Sequence, residues 1–231
     1  MSDTTYTTSR EALRRRQQDP HRVGHTGHPK NEPVPGTGQG ASGPATKRII
    51  VGYGFWVFLL SDIVIFSAFF AAYAVLQGQT AGGPGARDIV ELPRTAWETG
   101  ALLLSSFTCG LSFAATNARN KLWTQVFFVV TGLLGLVFLG LELQEFLSLA
   151  ARGVTPQRSA FLSAFFAVVG LHGLHVTVGL LWLGTMVAQL QVKGFRREIV
   201  HRIICFNLFW HALDIVWVGL FSVVYLLGAV R

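Results

Sequence analysis

The sequence predicts an all-α, polytopic membrane protein, with five transmembrane helices behind a polar amino-terminal tail. Three observations carry this prediction. Charged residues make up 13% of the 231-residue chain, about half of the ~25% found in an ordinary soluble domain. The deficit is uneven, since residues 1–48 are polar while nearly everything after Ile49 is long apolar runs joined by short polar stretches. A soluble core needs apolar stripes, whereas a bilayer needs apolar runs. The runs also lack the alternation of a barrel strand and exceed its length, so helices, whose backbone groups are satisfied internally, are the remaining solution.

The tail comes first in chain order. Residues 1–48 are rich in Gly, Pro, His and Arg and almost free of apolar side chains, so they are expected to be largely disordered. His21, His25 and His28 lie there with no cysteine or carboxylate pattern to close a metal site around them. The tail is too long and too polar for the n-region of a signal peptide, and the first span is expected to remain as an uncleaved anchor. The transmembrane domain, 49–231, then divides into spans near 49–77, 97–117, 121–149, 159–190 and 203–229, each above the roughly 18-residue minimum for a spanning helix. Cys109 and Cys205 fall inside spans far apart in sequence, as small buried apolar residues rather than a disulfide framework.

The formal net charge of +7 raises the question of nucleic acid. The Lys and Arg residues sit in the tail and joints, not on a folded basic face interleaved with aromatics, which argues against it. They read instead as orientation. The tail and the joints on its side carry 14 Lys and Arg residues, and the opposite side carries 5. That bias places the amino terminus in the cytoplasm and, after five crossings, the carboxyl terminus on the far side of the membrane.

Polar residues inside the spans are the informative ones, because an ionisable group at mid-helix costs roughly 2.5–3.5 kcal/mol on insertion scales. The first span carries Asp62, the third Glu142 and Glu145, the fourth His172 and His175, and the fifth Trp210, His211 and Asp214. Glu142/Glu145, His172/His175 and His211/Asp214 are i, i+3 pairs, so each pair shares a helix face. These faces are expected to pack inward, with Gly170, Gly173 and Gly179 letting neighbouring backbones approach. Four readings stay open on the residues alone: a hydrogen-bonded interior that fixes packing, a proton or ion pathway, a haem held between His175 and His211 as in a small b-type cytochrome, and a lipid-filled or subunit-facing cleft. The chain has no H-E-x-x-H pair, phosphate-binding glycine loop, G-x-S-x-G or cysteine cluster, and so no self-contained catalytic constellation.

These motifs resemble subunit III of the haem–copper terminal oxidases. FWVFLLSDIVIFSAFF with Asp62 is similar to that family's helix with an acidic residue after serine, and LELQEF with Glu145 to its acidic stretch. SAFFAVVGLHGLHVTVGLLW is similar to its paired-histidine helix, and FWHALDIVWVGLFSVVYL to its final helix, here with Trp210, His211, Asp214 and Trp217. TAGGPGARDIVELP, GVTPQRSAFLSAFF, SVVYLLGAV and the five-span layout look closer still to the quinol-oxidising branch, cytochrome o ubiquinol oxidase subunit III. The resemblance covers about residues 50–230. It implies a non-catalytic subunit in a bacterial inner membrane, part of a complex that oxidises ubiquinol, reduces oxygen to water and pumps protons. The haems and copper would belong to the large subunit I and none to this chain, with subunits II and IV and membrane phospholipid as further partners. Asp62 stands where many relatives have a buried glutamate known for carboxyl-reagent sensitivity, so the acid is kept but shortened by a methylene. The eight polar residues named above are expected to be structural or lipid-facing, with no catalytic or metal-binding role.

Overall fold

The computed structural model describes residues 47–230, and the tail with its three histidines lies outside the described residues. Five long helices account for most of the remainder: α1 (Lys47–Leu76), α2 (Leu92–Asn117), α3 (Lys121–Ala151), α4 (Ala160–Lys193) and α5 (Arg197–Leu220). A single turn at Ala86–Ile89 and a 3-10 turn at Pro156–Arg158 lie in the joints, and no strand occurs among the described residues. Each long helix is long and apolar enough to cross a membrane. Short joints set neighbours antiparallel, so one end of the bundle, the upper end, carries the joints at 77–91 and 152–159.

The joints stop the helices by ordinary means. Asn120 caps α3 by accepting from the Trp123 amide, and Ser159 caps α4 by accepting from the Leu162 amide. At the end of α3, Gly153 takes a φ of +71°, and the amides of Gly153 and Val154 return to the carbonyls of Ala150 and Leu149. That left-handed turn, which glycine enters without a Cβ penalty, closes the helix. α2 begins at Leu92, ahead of the apolar run proper, because Pro93 is preorganised for a first helical turn. The turn therefore draws Arg94 and Glu98 into the helix.

α2 and α3 are the most closely paired helices, and the sequence shows why. The buried positions of α2 include Thr95, Glu98, Leu102, Ser105, Cys109, Ser112 and Thr116, spaced alternately three and four apart. Those of α3 are Thr124, Phe128, Thr131, Gly135, Phe138, Glu142, Glu145 and Leu149, with the same alternation. Both are a and d stripes of a heptad, written largely in small or polar residues rather than leucines. In lipid, small residues allow close approach and hydroxyls supply interhelical hydrogen bonds. Ser105 accordingly donates to the Thr131 carbonyl at 3.0 Å, and Thr108 and Thr131 share a bond at 2.8 Å.

α4 and α5 complete a four-helix core with α2 and α3, and Trp210 of α5 locks it. The indole lies between Gly135 of α3 and Gly179 of α4, donates from Nε1 to Ser105 of α2 at 3.1 Å, and is 1% exposed. A Cβ added at Gly179 would stand 2.8 Å from the indole, and one at Gly135 would stand 3.1 Å from it. The glycines flanking the α4 histidines thus admit side chains from neighbouring helices, a ring at Gly179 and a carboxyl at Gly173, rather than neighbouring backbones. Gly179→Val is expected to destabilise the chain by about 2 kcal/mol through overpacking. Gly184→Ala, where an added methyl meets nothing, should leave stability unchanged or raise it by up to ~1 kcal/mol, since alanine is the better helix former. Denaturation midpoints of the purified variants check this, and equal midpoints would refute the wedge.

α1 packs mainly on α4 and α5. Just 11% of its span is buried, so most of its apolar surface, including Tyr53, Trp56 and Val64, faces outward. α5 continues through a π-helical turn, Phe221–Leu226, in which Leu227 donates to the Ser222 carbonyl. Such a turn inserts an extra residue and re-aims the side chains on either side of it. Tyr225 within it is fully buried.

Candidate functional site

The polar residues of the spans assemble into three groups, held by different sets of helices. The first lies near the upper end and joins α2, α3 and α5. Glu98, Glu142 and Glu145 are all buried, at 0%, 2% and 4% exposure. They lie close enough to act on one another electrostatically. The Tyr225 hydroxyl donates to Oε2 of Glu145 at 3.3 Å. Neither carboxyl oxygen of Glu98 or Glu142 has a hydrogen-bond partner among the described residues. The cation beside them is Arg94, whose Nε stands 3.6 Å from Oε1 of Glu98 and whose NH2 donates to the Leu141 carbonyl at 2.7 Å and to Gln144 at 3.2 Å. A Cβ at Gly173 would come within 2.6 Å of Glu142, so the carboxyl occupies space that only glycine leaves.

The second group joins α1 to α4. Oδ1 of Asp62 and Nε2 of His175 are 3.9 Å apart, beyond hydrogen-bond reach. Nδ1 of His175 lies 2.8 Å from the Leu171 carbonyl, an acceptor, so that nitrogen carries a hydrogen. Nε2 is left to face Asp62 across the α1–α4 contact. His172, one turn earlier, is fully buried among rings, edge-on to Phe138 with centroids 5.7 Å apart and tilted over Trp217 at 5.1 Å. Phe66 touches both histidines. Asp62→Asn keeps a polar partner for Nε2 and should change stability by less than ~0.5 kcal/mol, whereas Asp62→Leu should cost about 1 kcal/mol and lower assembly. Yield and denaturation midpoint of the two variants check this, and a Leu variant as stable as the Asn one would remove the pairing.

The third group joins α2 to α5. His211 Nδ1 and the Ser106 hydroxyl are 2.6 Å apart, and Asp214 lines the same open groove. Nearby, Trp217 donates to Thr99 at 3.1 Å, and Asn207 donates to the Cys109 carbonyl at 3.0 Å. Both cysteines are free, Cys109 buried and Cys205 half-buried.

The three i, i+3 pairs therefore do share faces, but they do not converge on one centre. His175 faces α1 while His211 faces α2, so no common space lies between them for a haem, and the two-histidine cytochrome does not fit this arrangement. Among the described residues, no group of three or more His, Cys, Asp or Glu side chains is set to hold a metal ion. Sequence reasoning missed Glu98, Arg94 and Tyr225. A signal was available for the first two: Pro93 starts a helix, and Arg94 and Glu98 follow at i, i+4 spacing, on one face of it.

Comparison with known proteins places this scaffold. Residues 34–229 match the family described as cytochrome c oxidase subunit III. The cytochrome bo(3) ubiquinol oxidase subunit 3 of Pseudomonas aeruginosa is 49% identical over 177 residues, covering 77% of this chain and 85% of that protein. The quinol oxidase subunit 3 of Bacillus subtilis is 38% identical over 175 residues, covering 76% and 86%. A probable quinol oxidase subunit 3 of Staphylococcus aureus is 36% identical over 178 residues, covering 77% and 89%. Matches of this extent run through all five spans, and the chain belongs to the cytochrome c oxidase subunit III family.

Proposed function

We propose that this chain is the non-catalytic subunit III of a proton-pumping haem–copper ubiquinol oxidase, where it supports assembly and stability of the large haem-bearing subunit. The observation that carries this reading is the 49% identity, over most of both chains, to a protein named as a ubiquinol oxidase subunit 3. The geometry agrees with a scaffold role. Asp62, His172, His175, Glu145, Trp210 and His211 are engaged with other residues of the same chain, and the polar groups are dispersed over different helix contacts. Oxygen reduction then takes place at haems and copper held by subunit I, with subunits II and IV completing the complex. The broad apolar surface of α1 and the apolar groove between α3 and α4, about 470 Å³ around Gly132 and Gly184, suit contact with subunits and phospholipid acyl chains. The excess of basic residues on the tail side favours an amino terminus in the cytoplasm and a carboxyl terminus in the periplasm of a bacterial inner membrane.

The test is purification of the tagged chain in mild detergent, with a visible spectrum and quinol-dependent oxygen uptake. A haem-bearing subunit should accompany the chain and the uptake should follow it, while the chain stripped of its partners should show no Soret band. Haem retained by the isolated chain, or a preparation without any haem-bearing partner, would overturn the reading.

A further inference from the structure

We propose that Glu142 carries a proton, and that Glu98, Glu142 and Glu145 together make a proton-holding site that exchanges with water through the recess beside Arg94. All three carboxyls are buried, but only two of them face a group of another kind. Arg94 stands 3.6 Å from Oε1 of Glu98, and the Tyr225 hydroxyl donates to Oε2 of Glu145 at 3.3 Å. Glu142 is 2% exposed, and neither of its oxygens has a hydrogen-bond partner among the described residues. From α4 it meets Gly173, which brings no side chain, while the neighbouring His172 lies against the rings of Phe138 and Trp217. The groups that act on it electrostatically are the other two carboxyls.

An ionised Glu142 would be a buried charge with no donor bonded to it and like charges beside it, far costlier than the neutral acid. A proton on Glu142 removes that repulsion and turns the carboxyl from an acceptor into a donor. A metal ion would answer the same need, but among the described residues no group of three or more His, Cys, Asp or Glu is set to hold one. The way in is at the upper end of the bundle. Arg94 lines an open recess of about 640 Å³ together with Arg87 and Glu91, and keeps 21% of its side chain exposed. Water therefore reaches within one side chain of Glu98. On the topology proposed above, this recess faces the periplasm, the side to which a proton-pumping oxidase delivers protons. That placing rests on the functional reading, whereas the proton does not.

The experiment is infrared spectroscopy of the purified full chain at neutral pH. The parent should show the carbonyl stretch of a protonated carboxyl, and that band should shift in heavy water while the helix amides are still unexchanged. Glu142→Gln, which keeps the shape of the neutral acid, should lose one carboxyl's share of the band and unfold at the parent midpoint. The double variant Asp62→Asn, Asp214→Asn should retain that share, which keeps the assignment testable even if Glu142→Gln fails to fold. A parent without the band, a folded Glu142→Gln that keeps all of it, or a double variant that loses all of it would overturn the proposal. A band that shifts only as the helix amides exchange would overturn it too, since the site would then be closed to water. The spectrum reads the proton alone, so a chain that brings down no haem-bearing subunit would fail the functional reading and leave this one standing.

Discussion

Trp210→Ala is expected to lower stability by about 3 kcal/mol or more. The indole reaches all three other core helices: Ser105 of α2 by hydrogen bond, Gly135 of α3 and Gly179 of α4 by contact. Water expulsion contributes little to packing inside a bilayer, so the loss is chiefly of van der Waals contact in a site walled on every side. The two glycines have no side chains to collapse into the gap. Trp210→Phe retains most of the ring and gives up the bond to Ser105, so it should cost about 1 kcal/mol more than a perfect isostere would. Denaturant or SDS unfolding of the purified chain separates the two variants, and an alanine variant as stable as the parent would show that the indole does not lock the core.

Arg94→Met should cost about 3 kcal/mol, because it removes the cation beside buried Glu98 and leaves that carboxyl without its partner. The same substitution also frees the carbonyl of Leu141 and the side chain of Gln144 from their donor. The diagnostic is the double variant. Combining Arg94→Met with Glu98→Gln removes both charges, and more than half of the lost stability should return, since deleting a buried pair together is far milder than breaking it. A double variant no more stable than Arg94→Met would mean that the arginine acts through its bonds to α3 instead.

Much of this architecture was legible in the residues. The five spans follow from apolar runs, and their buried polar positions from the cost of putting such groups in lipid. The face shared by His211 and Asp214 is real, as is the one shared by Glu142 and Glu145. What the sequence hid is which way the helices turn. A soluble helix announces its buried side by hydrophobic contrast, but a spanning helix is apolar towards lipid and towards its neighbours alike. The α2 side of the α2–α3 seam is therefore marked by a polar stripe of Thr95, Ser105, Ser112 and Thr116 rather than by leucines, the reverse of a soluble helix's contrast. Glu98 escaped for a different reason. It sits at the edge of the second apolar run, where it resembles a joint residue, and only Pro93 reveals that the helix has already begun. Tyr225 was invisible because its inward aim depends on a π-helical turn, a local departure that spacing rules built on a regular helix do not foresee.

The packing of α1 on α4 and α5 bears on how the protein is made. α1 leaves the ribosome first, yet the helices it packs on are synthesised last. Asp62 precedes His175 by 113 positions, which at about 5–20 residues per second amounts to roughly 5–25 s of elongation. For that interval the first helix lacks its main intramolecular partners, and its carboxyl has no imidazole to face. Whatever receives α1 on insertion must hold it until α4 arrives, while α2 and α3 have each other almost at once. The final topology is thus reached out of chain order, a central pair first and the oldest segment afterwards.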